Sequence, residues 1–535
     1  MRDPTLTFQS VLGIMKGAKR GSFHRETPPR KGTTMMKKTV GSLLIAAVTV
    51  LILCHPGWKG GEAVAQRYWT ADVAGMENIR MHGAKGDGKT DDTQALLSAI
   101  AAAETGRGGN VYLPEGTYRI GSGVTVPYEV ELYFDVGGVL CPDRDVKLNI
   151  QGSFAAGDHQ IFGGEGKIVG MDNDFIGNPM WFGAKGDGKT DDSAAFQKTI
   201  DCFDQVEIPF REEGYVVSDL KLNRAGMIFR GAEGKKAKLI ASPDTKNLLT
   251  VSTSLVDITD LSFEMAAAPQ ATCVLYDDSK TGIERCNLKR IDAMDAYCVV
   301  RDADHPKNMV VTTTFEQILC KDGRGTAFEC NDMWGFMFMT DVCVDYSGSA
   351  AKHNITVDFP GVYIKDNAGF ILTDVQVIGD PNGTEDAAGF LVDPSAAVWF
   401  RRCSAENVSG YGMHLKSGSW IYFVDFDAHN CGEGGMSISS GFMVQMKNIN
   451  VSYDRRPKKG TIGVSIRGGS GYQMGNLSVK NTSGNGMTVR GATKSTFTNL
   501  NAVDCGGYGI NGEREGNSFV NVTGSGNTHG DLSLN

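Results

Sequence analysis

The chain has 535 residues and carries 68 glycines, about 13% against a usual share of roughly 7%. Only 16 prolines accompany them, hydrophobic residues make up 41%, and the formal net charge is −9. Those figures exclude collagen-like, coiled-coil and disordered chains. They leave several globular domains or one long repeat with many tight turns.

The N-terminus reads as an export leader. Residues 1–34 precede the methionines Met35 and Met36, as expected of a start site placed too early. Met36-Lys37-Lys38 opens a basic region, 39–54 is a sixteen-residue apolar core, and Ala63-Val64-Ala65 supplies a small-residue cleavage site. The reading is a signal peptide at 35–65, whose apolar core is short for a membrane span and whose cleavage leaves no stable span. It implies a secreted, periplasmic or extracellular protein. Without residues 1–65 the chain has 43 basic against 59 acidic side chains, a net −16. A body so acidic argues against nucleic acid as a partner. The twelve cysteines show no CxxC or Cys/His metal spacing and sit in apolar runs such as those around Cys298 and Cys320. They read as buried small hydrophobes, and no residue is assigned to a metal.

The decapeptide GAKGDGKTDD occurs at 83–92 and again at 183–192. Each copy matches the G-x-x-x-x-G-K-[ST] phosphate loop. The pairs Asp91-Asp92 and Asp191-Asp192 put carboxylates where phosphates would bind, so nucleotide binding is rejected. The better reading is a turn into a short helix capped by Asp92 or Thr93, with Ala95, Leu96, Ala99 and Ile100 on its apolar face. Ser193, Ala195, Phe196 and Ile200 repeat it. GGNVYLPEGTYRI (108–120) then reads as strand, turn and strand.

GAKGDGKTDDTQALLSAIAAA followed by GGNVYLPEGTYRI resembles the N-terminal signature of the pectate-lyase superfamily, the proteins with a rhamnogalacturonase/epimerase-like pectate lyase domain. The resemblance implies an all-β, right-handed parallel β-helix, a pectin-lyase-like solenoid with short N-terminal capping helices. It implies a small unit at 66–172 before a main β-helix at 173–535. The hydrolase branch's NTD, DD, GHG and RIK-type segments do not occur here in that order, so no family residue is carried over. Calcium is the one cofactor the lyase branch brings into consideration.

The residues show the repeat independently. Gly389, Gly412 and Gly435 are spaced by 23, as are Gly463, Gly486 and Gly509. Apolar residues recur one and three positions after each glycine. A polar–aliphatic pair follows in eleven units: Asp260-Leu261, Asn287-Leu288, Gln317-Ile318, Asp341-Val342, Asp374-Val375, Arg402-Cys403, Asp425-Phe426, Asn448-Ile449, Asn476-Leu477, Asn499-Leu500 and Asn521-Val522. Units this short must stack, and the Asp/Asn column reads as a ladder of side-chain hydrogen bonds at a corner.

Candidate chemistry comes from residues expected to face outward. Four residues after their glycines stand Lys365, Lys416, Arg467 and Arg490, a basic column that could track a uronic-acid chain. The bland alternative is solvated surface charge. VDFDAHN (424–430) is the densest acid/base cluster, with Asp425 on the ladder, Asp427 and His429 alternating outward, and Glu406 one rung earlier in His429's column. Arg402 and His429 are the candidate bases for proton abstraction beside a uronate, and the carboxylates suit glycosidic cleavage. His414 and Trp420 are assigned to substrate binding, with Trp399, Tyr411 and Tyr422 nearby. The expectation is recognition and cleavage of an acidic polysaccharide by lyase or hydrolase chemistry. The rival is a non-catalytic polysaccharide-binding surface protein, adhesin or tailspike-like module.

Overall fold

The computed structural model describes residues 75–105, 109–170, 175–303, 305, 308–457 and 460–535. The leader and the early start at 1–65 lie outside them.

The duplicated decapeptides fold alike. Asp92 turns back into its loop, where its carboxylate accepts the backbone N–H groups of Lys85 (2.7 Å) and Gly86 (3.0 Å). Asp192 does the same for Lys185 and Gly186 at 2.7 and 3.1 Å. The anion nest of a phosphate loop is therefore filled by the motif's own carboxylate. The helices start directly after Asp92 and Asp192, as expected, but the side chain that caps them is one residue earlier: Asp91 accepts Thr93 N at 3.0 Å, and Asp191 accepts Ser193 N at 3.0 Å. Helices α1 (Thr93–Thr105) and α2 (Ser193–Cys202) follow. They bury Ala95, Leu96, Ala99, Ile100 and their counterparts Ala195, Phe196 and Ile200.

Strands up to Lys167–Val169 form three small parallel sheets, and later strands form two long ones of 19 and 13 strands. Aromatic side chains fill the transition. Phe154 stacks on Phe175 at 5.3 Å and meets Trp181 edge-on at 5.0 Å. Val73–Asn535 is one compact unit.

The rungs that matter here alternate long and short strands: β1 (Asn367–Ile378), β2 (Phe390–Val392), β3 (Ser395–Glu406), β4 (Tyr411–Leu415), β5 (Gly418–His429), β6 (Gly434–Ile438), β7 (Gln445–Ser452), β8 (Ile462–Ile466), β9 (Gln473–Lys480), β10 (Met487–Val489) and β11 (Ser495–Val503). The long strands belong to the 19-stranded sheet and the short ones to the other. All pair in parallel, rung on rung, so the interior collects like side chains in files. Phe400 stacks on Phe423 with centroids 4.9 Å apart, and both are buried.

Each long strand bends at its ladder residue. Asp374, Arg402, Asp425, Asn448, Asn476 and Asn499 have φ between 50° and 60°, the left-handed region that Asn and Asp tolerate best. Asn448 donates to Asp425 at 2.7 Å, Asn476 to Asn448 at 2.8 Å, and Asn499 to Asn476 at 3.0 Å. One rung departs from the expectation. Leu261 pairs with Ile291, which puts Arg290 (φ 55°) rather than Asn287 opposite Asp260. Arg290 grips the Asp260 carboxylate through two bonds of 2.6 and 2.7 Å. The bend divides each long strand into a leading and a trailing segment, and with the short strands these give the coil three outer faces.

None of the eleven described cysteines is in a disulfide, and eight are buried. Burial raises the thiol pKa of Cys320 and Cys330 well above the ordinary range. They are packing residues, as their apolar surroundings suggest.

Candidate functional site

The short-strand face carries the basic column. Register pairs Leu391 with His414, His414 with Ser437, Ser437 with Ser465 and Ser465 with Thr488. Lys416, Arg467 and Arg490 follow two residues behind and are exposed. Lys416 lies 3.5 Å from the Asp393 carboxylate, which also accepts the Ser417 hydroxyl at 3.4 Å. Lys365 is half-buried, with its ammonium 3.8 Å from Asp366. Ser437, Ser465 and Thr488, which continue His414's column, are buried. Their side chains are short and their neighbours long: Arg467 reaches across to donate from Nε to Ser465 Oγ at 3.3 Å.

His414 stands at the centre of this face, half-buried, its ring 5.4 Å from that of Tyr411. Burial lowers its pKa below the ordinary 6.5, and the positive charges of Lys416 and Arg467 lower it further, against weaker opposing pulls from Asp393 and Asp386. Lys416 and Arg467 stand in the neighbouring column, on His414's own rung and two rungs on; a neutral imidazole beside such cations can take a proton and has an anionic group's counter-charges next to it.

The trailing face holds the other candidates. Glu406 and His429 are paired across adjacent rungs, and Asp427 lies opposite Ser404 and Asn450. Both His429 ring nitrogens have partners: Nδ1 is 3.0 Å from Ser452 Oγ, and Nε2 is 3.3 Å from an Asp454 oxygen. Glu406 accepts Gln376 Nε2 at 3.1 Å. Asp427 is exposed and makes no side-chain bond among the described residues. Arg402 and Asp425 belong to the ladder. Arg402 holds Asp374 through two bonds of 2.7 Å, which keeps that carboxyl below the usual range, and Asp425 accepts from Asn448. The basic column and the VDFDAHN cluster therefore lie on different faces of the coil. Trp420 sits at a further left-handed corner (φ 60°), half exposed.

Neither cluster gathers ligands for calcium. Among the described residues no group of three or more His, Cys, Asp or Glu side chains converges as a metal site would.

The leading face has a groove of about 510 Å³ lined by Tyr422, Gln445, Lys447, Gln473 and Gly475. The aromatic residues of this region stand out in the sequence, but the polar floor does not. Its signal is the pair QMKN (445–448) and QMGN (473–476), each placing a glutamine three residues before a ladder asparagine.

Residues 76–140 match the family model described as rhamnogalacturonase A/epimerase, pectate lyase-like, and residues 388–532 match that of the right-handed β-helix region. This is a right-handed β-helix protein with a pectate-lyase-like N-terminal segment. Over 46 residues, 9% of the chain, it is 59% identical to alginate lyase 7 of Azotobacter vinelandii. Over 44 residues, 8% of the chain, it is 54% identical to plasmin and fibronectin-binding protein A of Streptococcus pneumoniae (strain ATCC BAA-255 / R6). These matches span only 5% and 6% of the length of those two relatives. Among solved structures it is similar to the A-module of the mannuronan C-5 epimerase AlgE6 of Azotobacter vinelandii. That similarity has 13% identity and a TM-score of 0.29, covering 85% of this chain and 96% of the module. Among the described residues no helix is long and apolar enough to cross a membrane.

Proposed function

We propose that this is an exported β-helix protein that acts on an acidic polysaccharide by lyase-type elimination, with His414 as the base. The observation that carries the reading is His414 beside the basic column, with Lys416 on its own rung and Arg467 two rungs on, where its pKa is lowered by burial and by both cations. In such a reaction neutral His414 removes the proton on the sugar carbon beside the carboxylate. The electron pair forms a carbon–carbon double bond as the neighbouring glycosidic C–O bond breaks, and the leaving oxygen is protonated from solvent. Lys416 and Arg467 hold the carboxylate and balance the negative charge that builds on it in the transition state. Arg490 extends the positive track along the next rung. The resemblance of a short segment to an alginate lyase agrees with this class of chemistry.

Binding without turnover is the second reading, and the short match to a plasmin and fibronectin-binding protein favours it. Incubation with pectate, alginate and rhamnogalacturonan, with and without calcium, separates the two. Growth of the ultraviolet absorbance of an unsaturated sugar supports the lyase. Binding with neither that absorbance nor new reducing ends supports the module.

A further inference from the structure

The groove on the leading face has no part in the chemistry of His414, which lies on another face. Its floor is a single column in register: Tyr422 pairs with Gln445, Gln445 with Gln473, and Gln473 with Thr496. Four such positions at ~4.8 Å per rung span ~14 Å. At one end Tyr422 stacks on Trp399, with centroids 5.3 Å apart and planes 4° from parallel. Trp399 covers one face of the Tyr422 ring, and the other face turns toward the rung of Gln445. A second column runs Arg401, Val424, Lys447, Gly475, Thr498. At Gly475 this wall lacks a side chain and the groove deepens. Arg401 and Lys447 are both exposed, and neither side chain has an ion-pair or hydrogen-bond partner among the described residues.

We infer that this groove is a second glycan site, which holds a short run of acidic sugar residues across four rungs. Each feature meets one part of that ligand. An aromatic face accepts the C–H face of a sugar ring. Glutamine amides both donate and accept, as hydroxyl groups require. An unpaired cation in the groove, Lys447, with Arg401 on the rung before the groove begins, answers carboxylates on a chain of net charge −9. A purely apolar ligand would leave the two amides unmet, and the acidic body disfavours a nucleic acid. The site shares with the His414 reading only the acidic-glycan class of its ligand.

The test uses the full chain carrying His414→Ala and Arg467→Ala, so that binding at the short-strand face is disabled. Short oligogalacturonate and oligomannuronate fragments are the probes, and calorimetry is the readout. A Cβ on Gly475 would meet nothing closer than Thr498 Oγ1 at 3.5 Å, so a side chain there enters the groove without disturbing the fold. The expected result is that one probe binds, that Gly475→Leu weakens it about tenfold or more, and that Lys447→Gln lowers both affinity and its salt dependence. Unchanged affinity in Gly475→Leu, or no binding of either probe before it is introduced, would overturn the groove assignment. Neither outcome bears on turnover by the unmodified chain, which tests the His414 reading separately.

Discussion

A methyl group placed on Gly486 would lie 2.6 Å from the carbonyl oxygen of Gly509, one rung further along the coil. Gly412 stands in the same relation to Gly435 at 2.8 Å, and Gly389 to Gly412 at 2.6 Å. The glycine column therefore exists because backbones of successive rungs approach closely, without any need for left-handed φ. Gly486→Ala should cost about 1–3 kcal/mol as overpacking forces the rungs apart. Gly475→Ala, with space around it, should cost about 1 kcal/mol at most. Denaturant melts of the two variants check the contrast.

The ladder makes a second prediction. Asn476 donates to one neighbour, accepts from the other and holds φ at 60°. Asn476→Gly loses the hydrogen bonds but keeps the conformation at little strain. Asn476→Ala loses the bonds and adds left-handed strain of about 1 kcal/mol. Alanine should therefore melt below glycine, the reverse of the usual order at regular strand positions. Equal melting temperatures would contradict the corner geometry.

Arg402 and His429 give a third. Arg402 is tied to Asp374, and both His429 ring nitrogens have partners. Arg402→Gln and His429→Ala should each leave turnover within about twofold of the parent, the change expected of a surface substitution away from the reacting atoms. Steady-state kcat/KM on the best substrate decides, and a hundredfold loss in His429→Ala would return the chemistry to the trailing face.

Protonation of His414 sets the pH dependence. Its folded pKa lies below 6.5, so above 6.5 the group is neutral in both folded and unfolded chains and contributes nothing to stability. Below 6.5 the unfolded chain takes up the proton first, and stability falls until the folded pKa is passed. As a base, His414 stays competent below 6.5, so the acid limb of kcat/KM should fall below that value. Arg467→Gln removes one of the charges that depress it and should move the limb toward higher pH. A limb that stays in place would exclude His414 as the titrating group.

Much of the fold was legible because it repeats. The 23-residue glycine spacing and the polar–aliphatic pairs marked ten of the eleven ladder positions, and the stacking of Asn448, Asn476 and Asn499 follows from the chemistry of the amide. The exception was instructive. Asn287-Leu288 has the right residue types, but the ladder position is Arg290, whose guanidinium bonds to Asp260 as an asparagine would not. The site was less legible, because outward residues on three faces look equivalent in one dimension. The sequence placed Lys416 and His429 in the same units without showing that a corner separates them. It also could not show that Ser465 lies beneath Arg467, or that both nitrogens of His429 are engaged.

The most direct measurement of the central claim compares His414→Ala with the parent chain on pectate, alginate and rhamnogalacturonan, following the absorbance of unsaturated product. The account predicts that the parent forms this product from at least one of the three, and that His414→Ala loses about a hundredfold or more in kcat. Equal turnover by parent and variant would contradict it, as would no product from the parent on any acidic glycan.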